Sequence, residues 1–463
     1  MKAMSVDRRT FIKAASVAAG GSLAGAQTAG RPNVLVIQPD QHRGMTMRCS
    51  GDDQAITPNL DRLAANGIRF SHMASSSPVC TPFRGTMQTG LYCHTHGLVR
   101  NNLRLDPSLE TFAEVFAQAG YATGYIGKWH LDGGSPKGTG GYIPDEGGRR
   151  QGWQEWQGYE KGHEFFEVWK FSEQREKVRL EGYDWEPIWQ TDEMLDFAQR
   201  HGSANRPWLY YLGYGPPHLP MQCPEEDLAR FPADKFELPP DLAGRFDPDV
   251  EREVRELWQM YYGQVYAIDR EVGRVVEGLR RLGQLDNTII FYVSDHGDRL
   301  GSHTGPDGKL RGKGAPYTTA FRVPMIVHWP AKIAGGQVCD ALVSSVDLAP
   351  TLLDLAGLPI PGAMQGDSQA GWCLEGRGPR NSAVYLGLGD EEKRGWRGFW
   401  DGNQVYSEGM YPVLYDHDKD PHEMRNLYSE SARAASTHER LVELAEQTRD
   451  PLESLIAQRA WPG

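Results

Sequence analysis

Three stretches of the chain place ionisable side chains directly after an apolar run. "RPNVLVIQPD" (31–40) ends in Asp40, "GYATGYIGKWHL" (120–131) reaches Lys128 and His130, and "NTIIFYVSDHGD" (287–298) presents Asp295 and His296. Carboxylate, ammonium and imidazole groups can hold a cation, bind an anion or move a proton. A single acid at a strand end is usually a cap or turn former; three such units in one chain point to a shared active site. A fourth stretch, "SSPVCTPFRGTMQTGLYCHTHG" (76–97), sets Cys80 among Ser, Pro, Thr and Arg. Taken alone, Cys80 can be a buried thiol, half of a disulfide with Cys93, a zinc ligand with Cys93, His94 and His96, a thiol nucleophile, or the precursor of a group that no encoded side chain provides. The zinc set is disfavoured because the adjacent Cys93–His94 pair is wrongly separated for one tetrahedral ion.

The elements that must position these residues read as α/β. Near-continuous apolar runs suit strands buried on both faces of a parallel sheet, and such sheets place ligands at their carboxyl edge. "TPNLDRLAANGIRF" (57–70) predicts a helix capped by Thr57, with Pro58 in its first turn and a stop at Gly67. A helix over 108–118 precedes the strand that leads to Lys128. "RPWLYYLGYGPPHLP" (206–220) predicts a strand entering a Pro-locked turn that holds His218. The stretch around Cys80 reads as a loop, and 132–187, rich in Gly, Trp and charge, as insertion and surface loops. The region 249–283 predicts a long helix broken near Gly263. Further on come a strand at "FRVPMIVHWP", a short helix at "SSVDLAPTLLDLAG", and a strand and turn before a last helix near 431–448.

The chain has 463 residues, 39% hydrophobic and 24% charged, enough for a large core and an appendage. Its net charge of −12 argues against a nucleic-acid partner or an anionic-membrane surface. The six cysteines (Cys49, Cys80, Cys93, Cys223, Cys339 and Cys373) are widely and irregularly spaced and include no CxxC pair. Residues 1–26 carry "DRRTFIK" and then a weakly apolar Gly/Ala tract ending in a small-x-small pattern at Ala24 and Ala26. This resembles a bacterial twin-arginine signal, implying a Tat translocase partner, cleavage near Ala26 and a periplasmic or otherwise exported product. No stretch reads as a membrane span.

"CTPFRGTMQTG" (80–90) resembles the sulfatase signature, Cys-x-Pro-x-Arg followed by Thr-Gly. "PNVLVIQPDQ", "TGYIGKWHL", "PPHLP", "VSDHG", "RGKG" before "FRVP", and "LYDHDKDPHEMRNLY" resemble further blocks of that family, in the family's order. The resemblance implies an alkaline-phosphatase-like fold: a large mixed, mostly parallel sheet sandwiched by helices, over 31–365, with a smaller antiparallel-sheet subdomain over 366–463. It implies that a formylglycine-generating enzyme or equivalent converts Cys80 to Cα-formylglycine, whose hydrate attacks sulfur and then expels sulfate. The implied metal set is Asp40, Gln41, Cys80, Asp295 and His296 around one hard ion, Ca²⁺ or alternatively Mg²⁺. Arg84 would hold the hydrate, Lys128 and Lys313 would clamp the sulfate, His130 would take the proton for sulfate release, and His218 would bind sulfate or protonate the leaving oxygen. Lys309 is the alternative to Lys313.

The implied activity is hydrolysis of a sulfate ester, with a sulfated sugar or polysaccharide fragment favoured by the region after His218. A phosphonate monoester or phosphodiester hydrolase is the alternative within the same superfamily, and an exported glycan-binding protein with unconverted Cys80 is the non-enzymatic one. Three positions depart from the family pattern: Phe83 stands where Ser is usual, Gln41 where many members have a second Asp, and no Glu precedes Arg-Val-Pro.

Overall fold

The structure is a computed structural model that describes residues 30–134, 141–162, 164–172, 174–304, 308–390, 395–429 and 431–451. The proposed signal, 1–26, lies outside the described residues.

A single large sheet organises the site. Its strands are β1 (Asn33–Asp40), β2 (Ile68–Ala74), β3 (Ala122–Lys128), β4 (Glu155–Tyr159), β7 (Trp208–Pro217), β8 (Thr288–Val293), β9 (Met325–His328) and β10 (Gln337–Ser344), in the order β10-β2-β9-β8-β1-β7-β3-β4. Only β9 runs antiparallel to its neighbours, which makes the sheet mixed and mostly parallel. β1 is central, with Val34–Ile37 paired to Leu209–Leu212 on one side and to Ile289–Tyr292 on the other.

Side chains alternate across the sheet, as the period of two requires. Val34 and Val36 enter one hydrophobic core, packed by Phe83 and Met87, by Phe112 and Phe116, and by Leu348 and Leu352. Leu35 and Ile37 enter the other, packed by Leu60 and Leu63, by Trp189 and Phe197, and by Ile268 and Val272. Helices therefore cover both faces, and the near-continuous apolar character of β1 follows from that double burial.

A four-stranded antiparallel sheet, β11 (Val384–Leu388), β12 (Trp396–Trp400), β13 (Gln404–Gly409) and β14 (Val413–Asp416), forms the smaller unit. One face packs on Ala74, Phe321 and Leu342 of the main body, and the other on Leu441 and Leu444 of the helix Ser431–Thr448. A short hairpin of β5 (Trp169–Phe171) and β6 (Lys177–Arg179) completes the strands among the described residues.

Several local expectations are corrected. The long helix Pro248–Arg281 is continuous through Gly263. A β-carbon there would lie 3.0 Å from the Cys223 sulfur, so this glycine serves close packing rather than a break. The 108–118 helix starts at Phe112, where Thr111 and Glu114 form a capping box. Asn66, one residue before the expected Gly67, caps the helix Pro58–Ala65. Residues 132–187 are not only loops: β4 joins the main sheet as its edge strand, and Trp153 and Trp185 are buried in the core. The largest correction concerns the segment read as the Cys80 loop. It is a helix, Cys80–Thr89, entered through extended Val79 and stopped by left-handed Gly90. Pro82 sits in its first turn, where a missing N–H costs nothing.

Candidate active site

Parallel neighbours β8, β1, β7 and β3 end on the same edge, so the segments after them converge there. β1 ends in Asp40 with Gln41 next, β3 ends in Lys128 with His130 two residues on, and Asp295 and His296 follow β8 after Ser294. Gln41 (φ 74°) and His130 (φ 58°) both turn with left-handed backbone. Such a conformation in a side-chain-bearing residue costs roughly 1–3 kcal/mol and concentrates at working sites. The Gln41 turn is held because its N–H donates to Asp295 Oδ1 at 2.9 Å.

Cys80 enters this edge from the first turn of its helix and is fully buried. Its sulfur lies 3.0 Å from Lys313 Nζ, 3.4 Å from Lys128 Nζ, 3.2 Å from His296 Nε2 and 3.8 Å from Asp40 Oδ1. Burial pushes the thiol pKa up, but Lys128, Lys313 and His296 outweigh it and hold it well below the usual thiol range. Cys80 is thus neither an inert core thiol nor disulfide-bonded. The residues of the alternative zinc set point elsewhere. Cys93 Sγ lies 3.7 Å from the Gly387 carbonyl, His94 pairs with Asp450 at 3.3 Å, and His96 accepts from the Leu98 N–H at 3.1 Å.

Asp40, Cys80, Asp295 and His296 each offer a ligand atom, all within 4.8 Å of one another and buried. His296 Nδ1 lies 3.0 Å from the Gly297 carbonyl, to which it donates, leaving Nε2 toward the cluster. Among the described residues, the buried Asp295 Oδ2 has no hydrogen-bond partner and lies 3.5 Å from the Arg84 guanidinium. Burial and the neighbouring Asp40 charge push the Asp295 carboxyl up, whereas Asp40, itself opposed by burial and Cys80, is held low by Lys128, His218 and Lys313. A buried carboxylate oxygen without a donor and a carboxyl strained by a like charge both fit a hard divalent cation among these oxygens. Gln41 faces the same ammonium as the Cys80 sulfur: its Oε1 accepts from Lys313 Nζ at 3.2 Å.

Arg84 donates to the Lys128 carbonyl at 2.6 Å and approaches Asp40 at 3.3 Å, so it braces the carboxylates from behind. Lys128 donates to Asp40 Oδ2 at 2.7 Å. His130 Nε2 is 3.0 Å from Asn102 Oδ1 and therefore carries the proton, while its buried Nδ1 has no hydrogen-bond partner among the described residues. Burial lowers its pKa to about 4, leaving a neutral imidazole. His218, just past β7, anchors Nδ1 on the Leu219 carbonyl at 2.8 Å and acts on the Asp40 charge. Lys309 is exposed, whereas Lys313 reaches the sulfur.

Three neighbours escape the sequence reading. Asn102 orients His130, and Asp298 with Arg311 ties together the segments carrying Gln41, Lys313 and His218. Asp298 was visible as the second acid of "SDHGD"; Asn102 sits in a polar turn that carries no signal of its own.

Residues 32–358 match the family model described as Sulfatase. The chain belongs to the sulfatase family. Among relatives, it is 31% identical to the uncharacterized sulfatase YidJ of Escherichia coli K12, covering 92% of this chain and 89% of that one. It is 26% identical to an N-acetylglucosamine-6-O-sulfatase of Bacteroides thetaiotaomicron, covering 90% of this sulfatase and 86% of that one. The solved structure of yidJ from Bacteroides fragilis superposes with a TM-score of 0.82 at 25% identity, covering 92% of this chain and 98% of that one. This sulfatase is accordingly a sulfuric ester hydrolase. Family membership implies a formylglycine and a divalent metal, for which Cys80 and the Asp40, Asp295 and His296 cluster supply the matching residues. No helix among the described residues is long and apolar enough to cross a membrane.

Proposed function

We propose that this enzyme removes sulfate from a sulfated sugar or oligosaccharide, with Cys80 as the site of the formylglycine and Ca²⁺ as the bound ion. The observation that carries the reading is the environment of the Cys80 sulfur, which sits at a helix N-terminus with two ammonium groups within 3.4 Å. Positive groups around a nucleophile position are what an incoming sulfate monoanion needs. The sugar preference draws on relatives named for glycan substrates, an N-acetylglucosamine-6-O-sulfatase and an endo-4-O-sulfatase.

When formed and bound, the formylglycine hydrate supplies the nucleophile and the ion supplies a Lewis acid. The chain's own groups do the rest. Lys128 and Lys313 hold sulfate oxygens as charge moves onto them. Arg84 keeps Asp40 and Asp295 in place. His130, neutral and with Nδ1 unengaged, accepts a proton at that nitrogen. His218, anchored through Nδ1 on the Leu219 carbonyl, serves the leaving oxygen with its imidazole.

The twin-arginine pattern at Arg8 and Arg9 supports export to the periplasm through the Tat translocase, and a maturase would act on Cys80. The test is a kinetic screen of defined sulfated mono- and oligosaccharides beside an aryl sulfate and a matched phosphonate monoester. Sugar sulfates should give the highest kcat/KM. A phosphonate preference would transfer the assignment to phosphonate hydrolysis, whose representative from Agrobacterium radiobacter shares the fold at a TM-score of 0.74.

A further inference from the structure

The side-chain amide of Gln41 has two ends, only one of which can ligate a cation. Its Nε2 lies 2.5 Å from Asp298 Oδ2 and its Oε1 lies 3.2 Å from Lys313 Nζ. An ionised carboxylate can only accept and an ammonium can only donate. The two neighbours therefore specify one orientation, nitrogen to the rear and oxygen toward the cluster, without reference to any ion.

Asp298 is fully buried and its carboxylate is fixed from every side. Oδ1 accepts from the Leu300 and Gly312 N–H groups, each at 3.1 Å. Oδ2 receives the Arg311 guanidinium through Nε and Nη2, both at 2.5 Å, together with the Gln41 amide. With this much donation Asp298 stays an acceptor and cannot rotate away from Gln41. Arg311 in turn donates to the Pro217 carbonyl at 3.0 Å, fixing the same carboxylate against the turn that carries His218.

We propose that Asp298 is a positioning residue for the cation site: it holds the Gln41 amide so that the oxygen, not the NH₂, faces the ion. This rests on the reading of the cluster as a sulfatase metal site and adds to it an outer group that selects the ligand atom. It also accounts for the neutral residue at position 41. The second carboxylate absent there stands one layer back, where it orients the ligand instead of binding. Groups behind a metal ligand typically contribute 10–100-fold to metal affinity.

The experiment is calorimetric titration of Ca²⁺ into chelator-stripped, full-length protein, with sulfate-ester turnover scored separately. Asp298→Asn removes the acceptor-only constraint and should weaken Ca²⁺ affinity by roughly tenfold or more. In a Gln41→Leu background, where no amide remains to orient, the same Asp298→Asn change should have little effect on affinity. Equal losses in both backgrounds would overturn the proposal, because Asp298 would then act on the fold and not through Gln41. Gln41→Glu keeps the test decisive if Asp298→Asn does not fold. It sets a second carboxylate against Asp298 and should not tighten Ca²⁺ binding despite the added charge; tighter binding would also overturn the proposal. Protein that shows the coupling but hydrolyses no sulfate ester would defeat the functional reading alone. An active sulfatase indifferent to residue 298 would defeat this inference alone.

Discussion

The ammonium of Lys313 lies 3.0 Å from the sulfur of Cys80, closer than that of Lys128 at 3.4 Å. Lys128 is also committed to Asp40 at 2.7 Å, whereas among the described residues the hydrogen-bond partner of Lys313 besides Cys80 is a neutral amide oxygen, Gln41 Oε1. Lys313 therefore has more of its charge to offer a bound sulfate. Lys313→Ala should lower kcat by roughly 10²–10³, the usual cost of removing one fixed donor to a developing anion. Exposed Lys309→Ala should leave kcat close to wild type. Steady-state kinetics on one sulfate ester compares them, and the reverse ranking would return the clamp to Lys309.

Cys80→Ser should lower turnover by roughly 10³-fold or more, since a serine left as the alcohol has no geminal hydroxyl with which to expel sulfate from the sulfated intermediate. The fold should survive, because serine fits the buried space of a cysteine with a helix N-terminus and two ammonium groups as partners. Intact mass of the wild type reports conversion independently. Near wild-type turnover in a serine variant whose intact mass shows the unoxidised hydroxyl would rule out the formylglycine route.

Asp295→Ala should lower metal content and activity together. Asp295 supplies a buried carboxylate oxygen with no hydrogen-bond donor and also receives the Gln41 N–H that shapes the left-handed turn. Elemental analysis of active enzyme should find about one Ca²⁺ or Mg²⁺ per chain, as an oxygen-rich donor set favours. Stoichiometric Zn²⁺ would refute the hard-ion assignment.

The sheet edge was legible because three apolar runs each end in chemistry, and parallel packing brings such ends together. Asp40, Lys128, His130, Asp295 and His296 could all be read in that way. Cys80, Arg84, Gln41, His218 and Lys313 came from motif resemblance, since nothing in their local pattern says what they face. The helix at Cys80–Thr89 is hidden in the sequence because Pro, Gly and three Thr within ten residues give it poor intrinsic propensity. Burial of every residue in it, with Phe83 and Met87 in the core, overrides that preference. Asp298 is hidden for a different reason: an acid two residues after His296 reads as a turn former, and only the fold brings Gln41 and Arg311 to share it.

His96 gives the chain an acid-sensitive support directly behind the nucleophile helix. Its Nδ1 accepts from the Leu98 N–H and its Nε2 lies 3.1 Å from Thr86 Oγ1, so the buried ring is held in the neutral form. Burial, and then the neighbouring His94, lower its pKa to about 3 from an ordinary 6.5. The unfolded chain thus binds a proton near pH 6.5 that the folded chain refuses until about pH 3. Stability from this group is fully present above pH 6.5 and is lost as pH falls through that window, by on the order of 4 kcal/mol at its lower end. His42, His130 and His328, each lowered to about 4 by burial, titrate in the same direction and contribute to the wild-type loss. A difference measurement isolates His96. His96→Gln retains an acceptor for Leu98 and a donor for Thr86, so it should cost about 1 kcal/mol at pH 7. Because glutamine does not titrate, that deficit should shrink and then reverse as the pH is lowered from 6.5 toward 4. Denaturant melts of both proteins across this range check the crossing, and a deficit independent of pH would mean that His96 is not held neutral in the folded chain.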